Sequence, residues 1–347
     1  MTRKIAIVFG AKSFEHEISI VSAITMKKVL NDELLYIFID KNREFYHIPT
    51  DIIKSNLFSS GEYKKCDKLE ITHTTFRKKG FFKTKNLKFD VVLNLVHGAD
   101  GEDGVLAGMF KFFNIPFVGP GIEACVVSFN KVLTKSYSKS IGVKTLDYKY
   151  FRKHDIINID NFPVIIKPVR LGSSIGVSVV KSNEELDYAL DVAFEFDDEI
   201  IVEPFISAVK EYNLAGTKIE NKFVFSIVEE PQKEEFLNFE KKYLDFKRSD
   251  IVSQADITND LVLKLRESFE KIYNITFEGS IIRCDFFVVD GKIYLNEINA
   301  IPGSMANYLF DNFNELFVKL SENLPKRKQI QINYDYVNTI QSAKGKA

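Results

Sequence analysis

SIIRCDFFVVDGKIYLNEIN, residues 280–299, is two apolar runs parted by Asp290-Gly291, and it reads as an antiparallel strand pair. Arg283, Asp285, Glu297 and Asn299 fall on these strands, so the register decides what they do together. A two-residue Asp290-Gly291 turn pairs 285 with 296 and sends Asp285 to the face opposite Glu297. A three-residue loop, Val289-Asp290-Gly291 with a left-handed glycine and a bulge, pairs 283 with 297 and gathers all four side chains on one face. The three-residue loop is expected. Two carboxylates and an amide oxygen on one face are hard ligands of the kind Mg²⁺ takes while sharing its shell with phosphate.

Working backwards, 211–217 and 222–228 read as strands and the stretch near 259–273 as a helix. The charge-dense stretch 231–250 between them reads as a lid or a disordered loop. Upstream, PVIIKP, LGSSIGVSVV and EIIVEPF are short strands split by Gly and Ser, typical of a second antiparallel sheet, with Ser182 as the cap of a helix over 182–196 and another helix over Phe129 to Ile141. Gly172, Ser173, Ser174 and Gly176 let backbone N–H groups approach phosphate oxygens, although a plain turn fits the string equally well. Lys167 ends the preceding strand, in line with the same phosphates. Lys131 is either a second phosphate contact or a surface lysine. Glu203 and Glu211 flank the join of the two sheets, where an adenine ring and its ribose fit, or they are ordinary surface carboxylates.

KIAIVF (4–9), closed by Gly10, suits a strand buried on both faces, followed by a helix capped by Ser13 with Ile20, Ala23, Ile24, Met26 and Leu30 on one stripe. LLYIFID (34–40), DVVLNLV (90–96) and PFVG (116–119) complete a doubly wound α/β unit, whose ligands sit at the carboxyl ends of the strands, in 10–17 and 97–104. The expected division is 1–128, then 129–210, then 211–347 carrying the lid. A chain of 347 residues agrees with two or three such units at about 150 residues each.

The balance of 47 basic against 48 acidic residues gives a net charge of −1, without the footprint of a nucleic-acid or anionic-membrane binder. Cys66, Cys125 and Cys284 have no metal-site or disulfide spacing, and no apolar run is long enough for a signal core or a membrane span. A cytoplasmic protein with a small-molecule partner is expected.

In order and approximate spacing, GAKSFEHEIS (10–19), HGADGEDG (97–104), PVIIKP (163–168), LGSSIGVS (171–178), EKKYLDF (240–246) and RCDFFVVDGKIYLNEINAIPG (283–303) resemble the D-alanine:D-alanine ligases of the ATP-grasp superfamily. The resemblance runs to about residue 325. It implies an ATP-grasp fold behind an N-terminal Rossmann-like domain, and ligation of two D-alanine molecules through a D-alanyl phosphate for peptidoglycan synthesis. It also implies two Mg²⁺ ions, replaceable by Mn²⁺, on Asp285, Glu297 and Asn299, with Glu297 bridging. Lys131 and Lys167 would touch the ATP phosphates above Gly172, Ser174 and Gly176, Glu203 the adenine and Glu211 the ribose. Glu15 would receive the first ammonium and link through Ser173 to Tyr243, with His97 bordering that pocket. Arg283 and the Gly303 amide would form an oxyanion hole, and Lys242 would lie near the second carboxylate. Tyr308 departs from the pattern, since many relatives carry a small hydroxyl residue there. Tyr243 favours a dipeptide over a depsipeptide product. A homodimer is implied. The competing readings are another ATP-grasp carboxylate:amine ligase and a nucleotide-binding protein without catalysis.

Overall fold

The computed structural model describes residues 3–80, 84–231, 252–326, 328 and 330–343. Its strands are β1 (Lys4–Gly10), β2 (Glu33–Ile39), β3 (Phe45–Ile48), β4 (Asp67–Thr72), β5 (Thr75–Lys78), β6 (Lys85–Asn86), β7 (Val91–Asn94), β8 (Phe117–Val118), β9 (Lys149–Arg152), β10 (Val164–Pro168), β11 (Ser178–Val180), β12 (Glu199–Pro204), β13 (Lys210–Ile219), β14 (Lys222–Glu229), β15 (Ile282–Val289) and β16 (Lys292–Asn299). The helices are α1 (His16–Val29), α2 (Ser55–Ser59), α3 (Val105–Phe112), α4 (Ile122–Phe129), α5 (Lys131–Ser140), α6 (Leu186–Phe194), α7 (Asn259–Thr276), α8 (Phe313–Glu322) and α9 (Val337–Ala343).

They build one 8-stranded sheet, β6-β5-β4-β3-β2-β1-β7-β8, and two 4-stranded sheets, β11-β10-β12-β9 and β14-β13-β15-β16. In the first, β2, β1, β7 and β8 are parallel, as the unbroken apolar runs require, since both faces are covered. The antiparallel extension through β3 to β6 has no counterpart in the sequence reading. Both smaller sheets are antiparallel throughout, as expected.

Three helix starts differ from expectation. Ser13 does not cap α1; its hydroxyl accepts the Glu15 N–H at 3.0 Å and bends the chain so that Glu15 occupies the cap position. The helix expected from Phe129 is two: α4 ends there, and Asn130 caps α5 by accepting the N–H groups of Val132 and Leu133 at 3.0 and 3.1 Å, which sets Lys131 in its first turn. Ser182 makes no side-chain cap bond, and a short 3₁₀ turn over Asn183–Glu185 precedes α6.

Ile5, Ile7 and Phe9 of β1 pack with Ala23 and Met26 of α1, and this core also takes in Ile301, Met305, Phe317 and Leu320. Burying each such large side chain contributes roughly 1.5–3 kcal/mol, so the end of the third sheet's chain is bound firmly to the first sheet. Phe269 and Tyr273 of α7 cover Leu214, Cys284 and Phe286. Ile166, Ile200 and Val202 are covered by Ala189 and Ala193 of α6. No helix among the described residues is long and apolar enough to cross a membrane.

Candidate active site

The β15–β16 hairpin turns on two residues, not three. Asp290 and Gly291 both have positive φ, 48° and 70°, the combination that two-residue hairpins favour, and Val289 pairs with Lys292. The phase is then changed inside the ladder. Phe286 faces Leu295 but Asp285 faces Glu297 and Arg283 faces Asn299, so Asn296 is an extra residue. That bulge, rather than the loop, brings the four side chains to one face. Asn296 is turned aside to accept a bond from Lys167 Nζ at 3.2 Å.

Arg283 grips Asp285 with two bonds, Nε to Oδ1 at 2.7 Å and Nη2 to Oδ2 at 2.8 Å, and Asn299 Nδ2 donates to the same Oδ2 at 2.9 Å. Burial pushes the Asp285 carboxyl up, Arg283 opposes that, and Glu297 opposite adds to it. A buried carboxyl whose proton affinity is raised beside a second carboxylate is relieved by a cation, and the oxygens of Asp285, Glu297 and Asn299 are the hard donors a divalent ion takes. The residues fit a metal site. Among the described residues no cluster of three or more His, Cys, Asp or Glu side chains suits a metal, in keeping with a set whose third member is an amide.

Glu15, buried to 5% exposure, accepts the Ser173 hydroxyl on Oε1 at 2.5 Å, while its Oε2 has no hydrogen-bond partner among the described residues. Burial raises its proton affinity, Ser173 lowers it and Glu297 raises it again. A Cβ on Gly98 would stand 2.8 Å from Oε2 and one on Gly172 3.0 Å from Oε1, so two glycines from different units make room for this carboxylate. Ser173 and Ser174 have φ of 54° and 58°. Gly176 has φ of 70°, and a Cβ there would lie 2.8 Å from Pro168 and Phe196. Gly176→Ala is expected to cost about 1–2 kcal/mol from the left-handed backbone alone, with a lower midpoint of thermal unfolding and weaker nucleotide binding by calorimetry.

His97 is buried, with Nε2 3.0 Å from Ser22 Oγ, and that hydroxyl accepts the Ser304 N–H at 3.1 Å. Burial pushes the imidazole down to about 4, so it is neutral at physiological pH. Through Ser22 it braces the turn that begins at Gly303, in which Ser304, Met305 and Ala306 are left-handed at 47°, 56° and 51°. Tyr308 closes this turn and its hydroxyl lies 3.4 Å from Arg283 Nη1.

Lys131 Nζ donates to the Leu171 carbonyl. Burial lowers its proton affinity and Glu297 raises it. Lys131, Gly172, Glu297 and Asn299 line an open cavity of about 50 Å³. Glu203 lies buried between two cations, with Lys167 Nζ at 2.6 Å from Oε2 and Lys135 on Oε1. Glu211, on β13 opposite Phe287, sits half-buried at the start of the third sheet. Lys242, Tyr243 and nearly all of the expected lid lie outside the described residues.

Two site residues escaped the sequence reading. Lys135 follows Lys131 by one helical turn, a spacing that was available as a signal. Glu102 sits inside HGADGEDG, where it accepts the Gly98 N–H at 2.8 Å and the Ile301 N–H at 3.1 Å. Burial, helped by Glu15, lifts its carboxyl from 4.5 to about 8. The folded state therefore holds a proton that the unfolded chain gives up, and stability falls as pH rises across that interval. In thermal melts of the ligand-free protein from pH 5 to 9, the wild type should lose ground steadily to Glu102→Gln; parallel curves would contradict this.

A family model described as "D-ala D-ala ligase N-terminus" matches residues 4–120, and one described as "D-ala D-ala ligase C-terminus" matches 137–315. The chain is 59% identical to a D-alanine–D-alanine ligase of Sulfurovum sp., over 99% of each chain. It is 55% identical to one of Wolinella succinogenes, again over 99% of each. It superposes on the crystal structure of the Helicobacter pylori D-alanine–D-alanine ligase with a TM-score of 0.84 and 47% identity, covering 94% of this chain and 100% of that one.

Proposed function

Because the chain belongs to the D-alanine–D-alanine ligase family, an ATP-grasp carboxylate–amine ligase group that joins two D-alanines at the expense of ATP for peptidoglycan synthesis, we propose the following roles for its residues. The reading is carried by one observation: Arg283, Asp285, Glu297 and Asn299 share a face that looks across to Lys131, Lys167 and Glu15.

Asp285, Glu297 and Asn299 are the residues that would hold the divalent ions. When bound, magnesium or manganese supplies charge neutralisation for phosphoryl transfer. Glu15 takes the ammonium of the first D-alanine on its unpartnered oxygen, beside the wall that His97 helps to form. Lys131 leaves the Leu171 carbonyl and, with Lys167, meets the ATP phosphates under Gly172, Ser174 and Gly176. Glu203 meets the adenine and Glu211 the ribose. The γ-phosphoryl passes to the D-alanine carboxylate, giving an acyl phosphate and ADP.

The second D-alanine, with Lys242 near its carboxylate, loses its ammonium proton to solvent and attacks that carbonyl, and the tetrahedral adduct collapses with cleavage of the acyl C–O bond, releasing inorganic phosphate and the dipeptide. Arg283 and the Gly303 amide stabilise the oxyanion, a contribution of about 3 kcal/mol per donor. Tyr308, already against Arg283, narrows the second subsite. Ser173 and Tyr243 steady Glu15, and the segment 231–250 excludes water as a lid. The units 1–128, 129–210 and 211–347 divide these tasks. The exposed Val105 and Phe112 of α3 and Ile122 and Val126 of α4 suit a homodimer contact in the cytoplasm.

The test is ADP release across D- and L-amino acids with product identification. D-alanine alone should give ADP, phosphate and D-alanyl-D-alanine. Another amino-acid pair would identify a different ligase, and no release at all would identify a binding protein.

A further inference from the structure

Lys135 touches neither substrate nor phosphate in the roles proposed above, yet it is among the most enclosed cations of the site. Lys135 and Glu203 have side chains only 5% and 3% exposed and form an ion pair. Lys135 Nζ also donates to the Leu146 carbonyl at 3.0 Å and lies 5.3 Å from the centre of the Tyr148 ring. These contacts hold it in place from α5 and the segment that follows. Lys167 is held differently: among the described residues its other hydrogen bond, besides Glu203 at 2.6 Å, goes to the bulged Asn296 at 3.2 Å, on another sheet. One carboxylate thus pairs with two enclosed lysines at once. Of the two, the lysine with the looser second contact is the one a polyphosphate would draw away.

We propose that Lys135 is a positioning residue that keeps Glu203 ionised and aimed at the 6-amino group of the nucleotide base when Lys167 turns to the phosphates. This rests on the reading above that Glu203 meets adenine. The exchange conserves hydrogen bonds: Glu203 Oε2 loses the Lys167 ammonium and gains the amino N–H of the base, while Oε1 stays on Lys135. A base with a 6-oxo group presents an acceptor to the same oxygen and is repelled. Without Lys135, Glu203 would lean wholly on Lys167 and compete with the phosphates for it. Base selection and phosphate binding would then fail together.

The experiment is calorimetric binding of Mg-ATP and Mg-ITP, the 6-oxo analogue, to the full chain without D-alanine, so that nothing turns over. Lys135→Met should weaken ATP about tenfold or more and ITP about threefold or less, lowering the ATP-to-ITP preference. Lys135→Arg should keep most of the preference. In a Glu203→Gln background, adding Lys135→Met should change little, since the pair acts as a unit. Should Lys135→Met not fold by circular dichroism, Lys135→Gln carries the same comparison. An unchanged preference in the Lys135 variants, with the preference lost in Glu203→Gln, overturns the inference and leaves the adenine reading standing. An unchanged preference in Glu203→Gln overturns both.

Discussion

Glu297→Gln should lower turnover by about three orders of magnitude or more, equivalent to some 4 kcal/mol of barrier, while the protein stays folded. The amide matches the carboxylate in shape and removes a negative charge from the place where Asp285 and Glu297 oppose one another across the ladder. Glu297 raises the proton affinity of Asp285 and Glu15 but also supports the charges of Lys131 and Arg283, so its neutralisation relieves the acids and deprives the cations, and the two effects oppose one another. Loss of turnover would thus accompany a thermal stability that is little changed. Manganese binding followed by electron paramagnetic resonance should weaken in parallel. Near-normal turnover would remove Glu297 from the metal site.

Arg283→Met should be as damaging by a different route. The guanidinium is buried, and although burial works against its charge, Asp285 and Glu297 hold it firmly protonated. Methionine leaves Asp285 buried with only the Asn299 amide, and stripping one member from a buried ion pair costs about 3–5 kcal/mol of stability. It also removes an oxyanion donor, which lowers turnover by roughly a hundred- to a thousandfold. The stability effect is isolated in Arg283→Met/Asp285→Asn, which should regain stability, while turnover stays lost there because Asp285 is itself a proposed metal ligand. Arg283→Lys should also fail in turnover, since an ammonium cannot make the fork of two bonds that aligns Asp285. Recovery of turnover in the double variant would contradict both the oxyanion role of Arg283 and the metal-holding role of Asp285.

Much of this was legible in the sequence. Apolar runs at 4–9, 34–40 and 90–96 announced a parallel sheet because strands buried on both faces have no polar positions to spare. The grouping of Arg283, Asp285, Glu297 and Asn299 was reached for the wrong reason. An odd-length loop and a two-residue turn with a bulge at Asn296 give the same face, and a bulge is held by tertiary contacts, such as that of Lys167 from another sheet on Asn296, that a linear reading does not contain. Ser304, Met305 and Ala306 carry no glycine to announce their left-handed backbone, which is imposed by burial against α1 and the Ser22 hydroxyl. Lys135 and Glu102 looked like ordinary charged residues of a helix and a loop. Their burial depends on neighbours distant in sequence: Glu203 for one, Ile301 for the other.

The chemistry itself is open to one decisive labelling. With D-alanine carrying ¹⁸O in its carboxylate, activation by the γ-phosphoryl group leaves one labelled oxygen in each inorganic phosphate released with dipeptide. Label found in AMP, or phosphate free of label while dipeptide accumulates, would mean that the carboxylate is activated in some other way and that the lysines and acids described here serve a different reaction.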